Sequence, residues 1–113
     1  MESRCVVLRS ERSQGGSRYL EARLTEDGDL IIEGHDIGPS VQRFWGARFR
    51  ECEWAILVRA ANVPQLVAVL GGSKGDDVLS LLSSQYSDDE RYLSKTFLDE
   101  RAVLNEFWNR LSY

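Results

Sequence analysis

The only histidine of the chain, His35, stands beside Asp36 in the stretch EGHDIGPSVQRFWG (33–46). A histidine hydrogen-bonded to a carboxylate can act as the base that takes a proton from a Ser or Cys nucleophile. Neighbouring residues of a strand point to opposite faces, which would separate the two side chains, although a turn after Gly34 could bring them closer. No Ser or Cys of the chain has the sequence context of a nucleophile elbow. The residues therefore favour a hydrogen-bonded turn histidine over a catalytic base.

The stretch GGSKGDD (71–77) contains the glycines and the lysine of a phosphate-binding loop. A Walker A loop requires GxxxxGK[ST] between a strand and a helix, so that the glycines leave room for phosphate oxygens. Here the lysine precedes Gly75, and Asp76 and Asp77 would repel a phosphate at the start of the following helix. We interpret the stretch as a loop between helices, in which the aspartates are caps that the helix dipole favours.

The metal-binding and acidic residue types form no recognisable reactive pattern. Zinc in proteins takes about four ligands, whereas Cys5 and Cys52 are far apart and have no histidine partners in sequence. We expect both to be reduced thiols in strands. The acidic groups at 26–29, 76–77 and 88–90 all fall at predicted turns or helix starts. We therefore predict no catalytic residue, no metal site, no cofactor and a non-enzymatic function.

The segment VQRFWGARFRE (41–51) interleaves arginines with aromatic residues. Its arginines are Arg43, Arg48 and Arg50, and its aromatic residues are Phe44, Trp45 and Phe49. This combination suits single-stranded nucleic acid, because cations follow the phosphates while aromatic rings stack on the bases. Alternatively, Phe44 and Trp45 belong to the core of a short helix or turn and the arginines are solvated on its other side.

The first half of the chain has the patterns of strands. A short β-branched run, CVVLR, is followed by residues 18–24, which alternate Leu20, Ala22 and Leu24 with polar side chains. That period of two is typical of a half-buried strand. The Asp27-Gly28 pair predicts a hairpin turn into a partner strand at 30–34. A further strand is predicted in ECEWAILVRA (51–60).

The second half has helical spacing. Asn62 and Pro64 fit the start of a helix over VPQLVAVL, and Gly71-Gly72 fits its end. Asp76 or Asp77 is expected to cap VLSLLSSQY. The pattern of Ser87 and Glu90 predicts a capping box before RYLSKTFLDERA, and the aromatic tail at 104–113 should dock on the fold.

Strands followed by helices predict an α+β fold with a curved antiparallel sheet of about four strands followed by two or three helices. A chain of 113 residues fits a single domain, 1–113, with 1–60 mainly strands and 61–113 mainly helices. No apolar run approaches the ~20 residues that span a membrane, and the N-terminus does not resemble a signal peptide. We therefore expect a cytoplasmic protein without a membrane partner.

Most of the chain, through LEARLTEDGDLIIEGHDIGPSVQRFWG, EWAILVRAANVPQLVAVLGG, GDDVLSLL and FLDE, resembles a group of short, uncharacterised actinobacterial proteins. The layout of 18–72, with its DG hairpin, its DI…FW segment and the strand EWAILVRA before a helix, is similar to a second group. That group comprises the single-stranded-DNA-binding Whirly proteins and the transcriptional positive-cofactor-type proteins. The resemblance implies a Whirly-like sheet, helices through which subunits associate, and a homo-oligomer.

The leading hypothesis is thus a non-enzymatic protein that binds single-stranded DNA or RNA and has a role in transcription regulation. Arginines on strands and in the connection would contact phosphates, and three aromatic residues would stack on bases. These candidate residues are Arg18, Arg23, Arg59, Arg43, Arg48 and Arg50, with Tyr19, Trp45 and Phe49. The net charge of −4 and the scarcity of lysine, two against twelve arginines, support an alternative. In it, the protein is an interaction module, such as an immunity or biosynthetic accessory protein, whose acidic surface complements a basic partner.

Overall fold

An antiparallel sheet of five strands forms the centre of the molecule in this computed structural model, which describes residues 3–13, 16–46, 48–86 and 95–112. The strands follow one another in space in chain order, so that β1 and β5 are the two edges and the sheet does not close. They are β1 (Arg4–Ser13), β2 (Gly16–Leu24), β3 (Leu30–Ile37), β4 (Glu51–Val58) and β5 (Glu106–Ser112).

Among the described residues, four α-helices and one 3-10 turn connect the strands after β3. They are α1 (Pro39–Trp45), the 3-10 turn (Ala60–Asn62), α2 (Val63–Val69), α3 (Val78–Tyr86) and α4 (Lys95–Glu100). The predicted α+β class and the antiparallel sheet are confirmed. The prediction of about four strands is wrong, since the segment 106–112, placed in the helical half, pairs with β4 as a fifth strand.

The β2–β3 hairpin confirms the turn predicted at Asp27-Gly28. Gly28 has φ of 87°, a backbone conformation that glycine adopts without the steric cost of a Cβ atom. The Gly28 amide donates to the Thr25 carbonyl at 3.0 Å, and the Thr25 amide donates to the Asp29 carbonyl at 2.9 Å. The partner strand is longer than predicted, because β3 continues through Ile37 instead of ending at Gly34.

The ends of α2 lie near where the sequence places them. Asn62 occupies the N-cap position, but its side chain makes no capping hydrogen bond, and Pro64 falls in the first turn. At the other end, the Gly71 amide donates to the Ala68 carbonyl at 3.0 Å with Gly71 at φ of 81°. The predicted capping box at Ser87 and Glu90 lies outside the described residues.

One face of the sheet carries the hydrophobic core. Even-numbered residues of β2, β3 and β4 are buried under α2, α3 and α4, as alternation in β2 predicts. Buried core residues include Leu20, Ala22, Ile32, Ile56, Leu66, Leu82, Leu98 and Val103. We call this side the helix-covered face. Burial of these apolar side chains, at ~25 cal/mol per Å² of apolar area, is the main force that holds helices and sheet together.

Asp77 is the residue that caps α3. Its carboxylate accepts hydrogen bonds from the Leu79 amide at 3.3 Å and the Ser80 hydroxyl at 2.8 Å. The Arg4 guanidinium of β1 donates to the same carboxylate at 2.5 Å. The hydrogen bond from Arg4 and that from Ser80 hold the pKa of Asp77 below its usual range, against the opposing effect of partial burial.

We expect Asp77→Asn to lower stability by about 0.5–1 kcal/mol near neutral pH, because asparagine can still cap the helix but loses the negative charge that interacts with Arg4 and with the helix N-terminus. A carboxyl group whose pKa is lowered by folding stabilises the protein above its unfolded pKa, and this contribution disappears as pH falls through the folded pKa. The difference between wild type and variant should therefore shrink below about pH 4. Urea unfolding at several pH values measures it, with Glu100→Gln on α4 as the control. If the stability difference between wild type and Asp77→Asn stays constant down to acid pH, the proposed role of the Asp77 charge is contradicted.

No helix in the described part of the chain combines the length and the hydropathy that crossing a membrane requires.

Candidate interaction surface on the open sheet face

The second face of the sheet carries the odd-numbered residues of β2, β3 and β4, none of which belongs to the hydrophobic core beneath the helices. We call it the open face. Cross-strand pairing arranges its side chains in rows, because opposing residues of antiparallel strands project to the same side. One row runs Glu21, Glu33, Ala55 and Trp108, and the next runs Tyr19, His35, Glu53 and Arg110.

Carboxylates outnumber guanidinium groups on the open face. By the strand register it carries five glutamates and three arginines among the described residues. The glutamates are Glu21, Glu33, Glu51, Glu53 and Glu106, and the arginines are Arg12, Arg23 and Arg110. The surface therefore has an excess of negative charge.

The ionisation of two neighbouring groups reflects this negative charge. The Tyr19 hydroxyl donates to Glu21 Oε2 at 2.8 Å, and this hydrogen bond is the main cause that raises the pKa of Tyr19. Cys5 Sγ lies 3.4 Å from the same oxygen. Partial burial is the main cause that raises the pKa of the Cys5 thiol, and the neighbouring Glu21 carboxylate raises it further. Both groups are thus held in their neutral forms.

A shallow depression of about 380 Å³ lies at the centre of the open face. Tyr19, Glu33, His35, Glu53 and Trp108 are among its lining residues. Trp108 is 52% exposed, which is unusual for the largest aromatic side chain. The depression therefore offers an exposed aromatic surface surrounded by charged groups.

His35 and Glu53 line this depression, and Glu51 of β4 is the second carboxylate near the imidazole. Its Nε2 is 3.5 Å from Glu51 Oε2 and 3.8 Å from Glu53 Oε1. The expectation of a turn histidine is wrong, because His35 is an internal residue of β3 and pairs with Glu53. His35 and Asp36 point to opposite faces, as a strand requires, and Asp36 instead lies 3.7 Å from Arg18.

The strand arginines proposed for phosphate contacts do not share a surface. Arg18 projects on the same side as Leu20, whereas Arg23 and Tyr19 project from the open face. Each of these arginines has a carboxylate partner. Arg23 is 3.0 Å from Glu33, and Arg59, beyond β4, is 3.1 Å from Glu106.

The arginine–aromatic segment forms α1 and its connection to β4. Arg43, Arg48 and Arg50 are exposed, and Phe49 is half-buried. Two backbone hydrogen bonds form at this connection: the Phe49 amide donates to the Gly46 carbonyl at 3.2 Å, and the Gly38 amide donates to the Arg50 carbonyl at 2.8 Å. The side chain of the stacking candidate Trp45 lies outside the described part of the structure.

Sequence reasoning named Tyr19 and Arg23 but missed the other residues that come together on the open face. Glu51 and Glu53 are separated by two positions at the start of a predicted strand, a spacing that puts both side chains on one face. Trp108 lies in FWNR, where two aromatic residues in succession fit an exposed edge strand as well as a docked tail. The proximity of His35 to the glutamates depends on the β3–β4 register, for which the sequence carries no local signal.

Comparisons of the chain with protein-family models, with curated proteins and with solved structures found no match.

Proposed function

We propose that the protein is a non-enzymatic interaction module that binds a partner protein through the open face. The observation that carries the proposal is the excess of glutamates around exposed Trp108 and Tyr19 on the sheet face opposite the hydrophobic core. An acidic surface attracts and orients a basic partner, because complementary charges steer the encounter and penalise partners of like charge.

The placement of cations supports a protein partner over a polyanion. Arg18, Arg23 and Arg59 all lie within 4 Å of carboxylates, which neutralise the charge that phosphates would need. A nucleic acid on the open face would also approach the five glutamates. Nucleic-acid affinity comes chiefly from phosphate contacts, so this arrangement opposes it.

Exposed apolar side chains supply the other requirement of a protein interface. Trp108, Tyr19 and Val7 lie on the open face and are 52%, 38% and 51% exposed. Trp and Tyr are the residue types that most often dominate binding energy, because they bury a large area at little cost in side-chain entropy. A partner that covers Trp108 would combine this burial with charge pairing at the surrounding glutamates.

Binding of single-stranded DNA or RNA is the second candidate, and one observation favours it. Arg43, Arg48 and Arg50 are all exposed on one short segment beside half-buried Phe49. The resemblance to Whirly and transcriptional positive-cofactor-type proteins implies this function, a role in transcription regulation and a homo-oligomer. In this candidate the nucleic acid would follow the α1–β4 connection and avoid the open face.

One crosslinking experiment separates the two candidates. A benzophenone photo-crosslinking amino acid replaces Trp108 on the open face, Arg50 in the α1–β4 connection, or exposed Ala68 on α2 as the control. After irradiation in the native host, the first candidate predicts a protease-sensitive adduct from position 108. The second predicts a nuclease-sensitive adduct from position 50. An adduct whose peptides all come from this chain would identify a homo-oligomer.

Charge reversal tests whether the acidic surface causes the interaction. Glu33→Lys should reduce the yield of the adduct at position 108 by about tenfold, because a like charge opposite a basic partner costs about 1.4 kcal/mol or more. Glu100→Lys, an equal change on exposed α4, should leave the yield unchanged. Equal yields from positions 108 and 68 would contradict the proposal for the open face.

A further inference from the structure

The open face also places three metal-ligating side chains together. His35 in β3 lies opposite Glu53 in β4, and Glu51 is two residues earlier on the same face. One ligand atom from each of the three lies within 4.8 Å of the other two. We call these residues the His35 cluster. The three side chains are 37%, 40% and 41% exposed, so the cluster borders solvent, while the Nε2 atom of His35 is itself covered.

The nitrogen of this cluster has an unmet bonding capacity. His35 Nε2 is buried and makes no hydrogen bond, although it lies 3.5 Å and 3.8 Å from two carboxylate oxygens. A buried polar atom without a hydrogen-bond partner destabilises the folded state. A ligand that the nitrogen can bind would remove this cost.

The two carboxylates also lack a counter-charge from arginine or lysine. Within the described ranges, the ion pairs recorded for Glu51 and Glu53 involve His35 alone. Arg110 is opposite Glu53 in the strand register, yet no ion pair joins them. Two neighbouring carboxylates repel each other unless a cation lies between them or beside them.

We propose that His35, Glu51 and Glu53 form a binding site for a divalent transition-metal ion of the zinc class. An imidazole nitrogen and carboxylate oxygens are ligands that zinc accepts, and three protein ligands leave a coordination position open. Tetrahedral ligands about 2.1 Å from zinc are about 3.4 Å apart, which is close to the two distances measured from Nε2. Small side-chain rotations therefore bring the cluster to a coordinating geometry.

The site is built into the sheet and does not depend on a loop. The β3–β4 register holds the backbones of all three ligands, and Tyr19 of β2 pairs with His35 on its other side. Ligands carried by strands are held in place more precisely than ligands carried by loops. The open coordination position belongs to the same depression as Trp108, so a ligand of the ion would contact the open face. This inference is independent of the proposed function.

Titration of the chelator-treated protein with ZnCl2 tests the proposal. Calorimetry should give one zinc ion per chain, and MgCl2 should give no heat, since magnesium prefers oxygen ligands and keeps its water. His35→Gln, Glu51→Gln and Glu53→Gln should each weaken zinc binding by about tenfold or more. Glu33→Gln, which removes a carboxylate from the same depression, should bind zinc as the wild type does.

Nuclear magnetic resonance of the imidazole gives a direct readout of the ligand. Because His35 is the only histidine, its ring signals need no assignment, and they should shift on addition of ZnCl2. Zinc should also raise the melting temperature of wild type and Glu33→Gln but not of the three ligand variants, since ligands stabilise the state that they bind. Unchanged ring signals, whether zinc binds elsewhere or does not bind, would overturn the proposal.

Discussion

Gly34→Ala is expected to destabilise the protein by about 3 kcal/mol, the upper range for overpacking a filled site. Gly34 of β3 is paired with Trp54 of β4, and the indole occupies the space where a side chain at position 34 would lie. A Cβ atom there would be 2.2 Å from Trp54 Cε2 and 2.4 Å from its Nε1. The smallest possible side chain therefore displaces the tryptophan from its position against the core.

A double-mutant cycle isolates this cause. In the Trp54→Ala background the clash is absent, and Gly34→Ala should become neutral or stabilise by about 0.5–1 kcal/mol, because glycine within a strand costs that much relative to alanine. Urea unfolding of the four proteins gives the coupling energy. The Trp54→Ala background itself controls for the general effect of adding a methyl group at position 34. An equal cost of Gly34→Ala in both backgrounds would show that Trp54 is not responsible.

The second large effect is expected from Leu82→Ala, which should cost about 3–4 kcal/mol. Leu82 on α3 is 1% exposed and belongs to the core between the helices and the sheet. Removal of its branched end leaves a cavity in addition to the lost transfer free energy.

Leu81→Ala is the matched control on the same helix. Leu81 is only half-buried at the periphery of the core, and we expect its truncation to cost about 1 kcal/mol. If Leu82→Ala does not fold, Leu82→Met keeps the volume and should cost less than about 1.5 kcal/mol. If urea unfolding shows that Leu81→Ala and Leu82→Ala lower the free energy of unfolding equally, the packing of α3 on the sheet is contradicted.

The parts of the fold that could be predicted are those with local signals. The β2–β3 hairpin has a DG turn between alternating strands, and α2 has a proline in its first turn and a glycine after its last. Asp77 precedes an apolar helical run and caps it, as the sequence suggests. In each case the residues that decide the structure are neighbours in the chain, so turn and capping preferences are sufficient.

The last strand could not be predicted in the same way. The segment 106–112 has apolar or aromatic side chains on both faces and no clean alternation, and its partner β4 is about fifty residues earlier. Its conformation is determined by pairing with an available sheet edge, which is a tertiary effect. The weak local pattern of this segment fits a docked tail equally well.

The candidate surface depends even more on long-range pairing. Arg18, Arg23 and Arg59 look alike in the sequence, but strand parity and neighbouring carboxylates give each a different environment. The His35 cluster depends on the register between β3 and β4, across a connection that contains α1. A shift of one residue would move both glutamates to the helix-covered face.

The irregularity in β1 limits how copies of this chain can polymerise. The pairing of β1 with β2 shifts between Val7 and Arg9, so Leu8 interrupts the regular spacing of amide and carbonyl groups on that edge. An incoming strand cannot continue in register past such a point, and natural sheets use bulges to prevent edge-to-edge growth. β5 is the other edge of the sheet, and its described pairing with β4 has no register shift. Two copies that pair through β5 would therefore form a finite dimer, whereas two regular edges would permit an open-ended fibre.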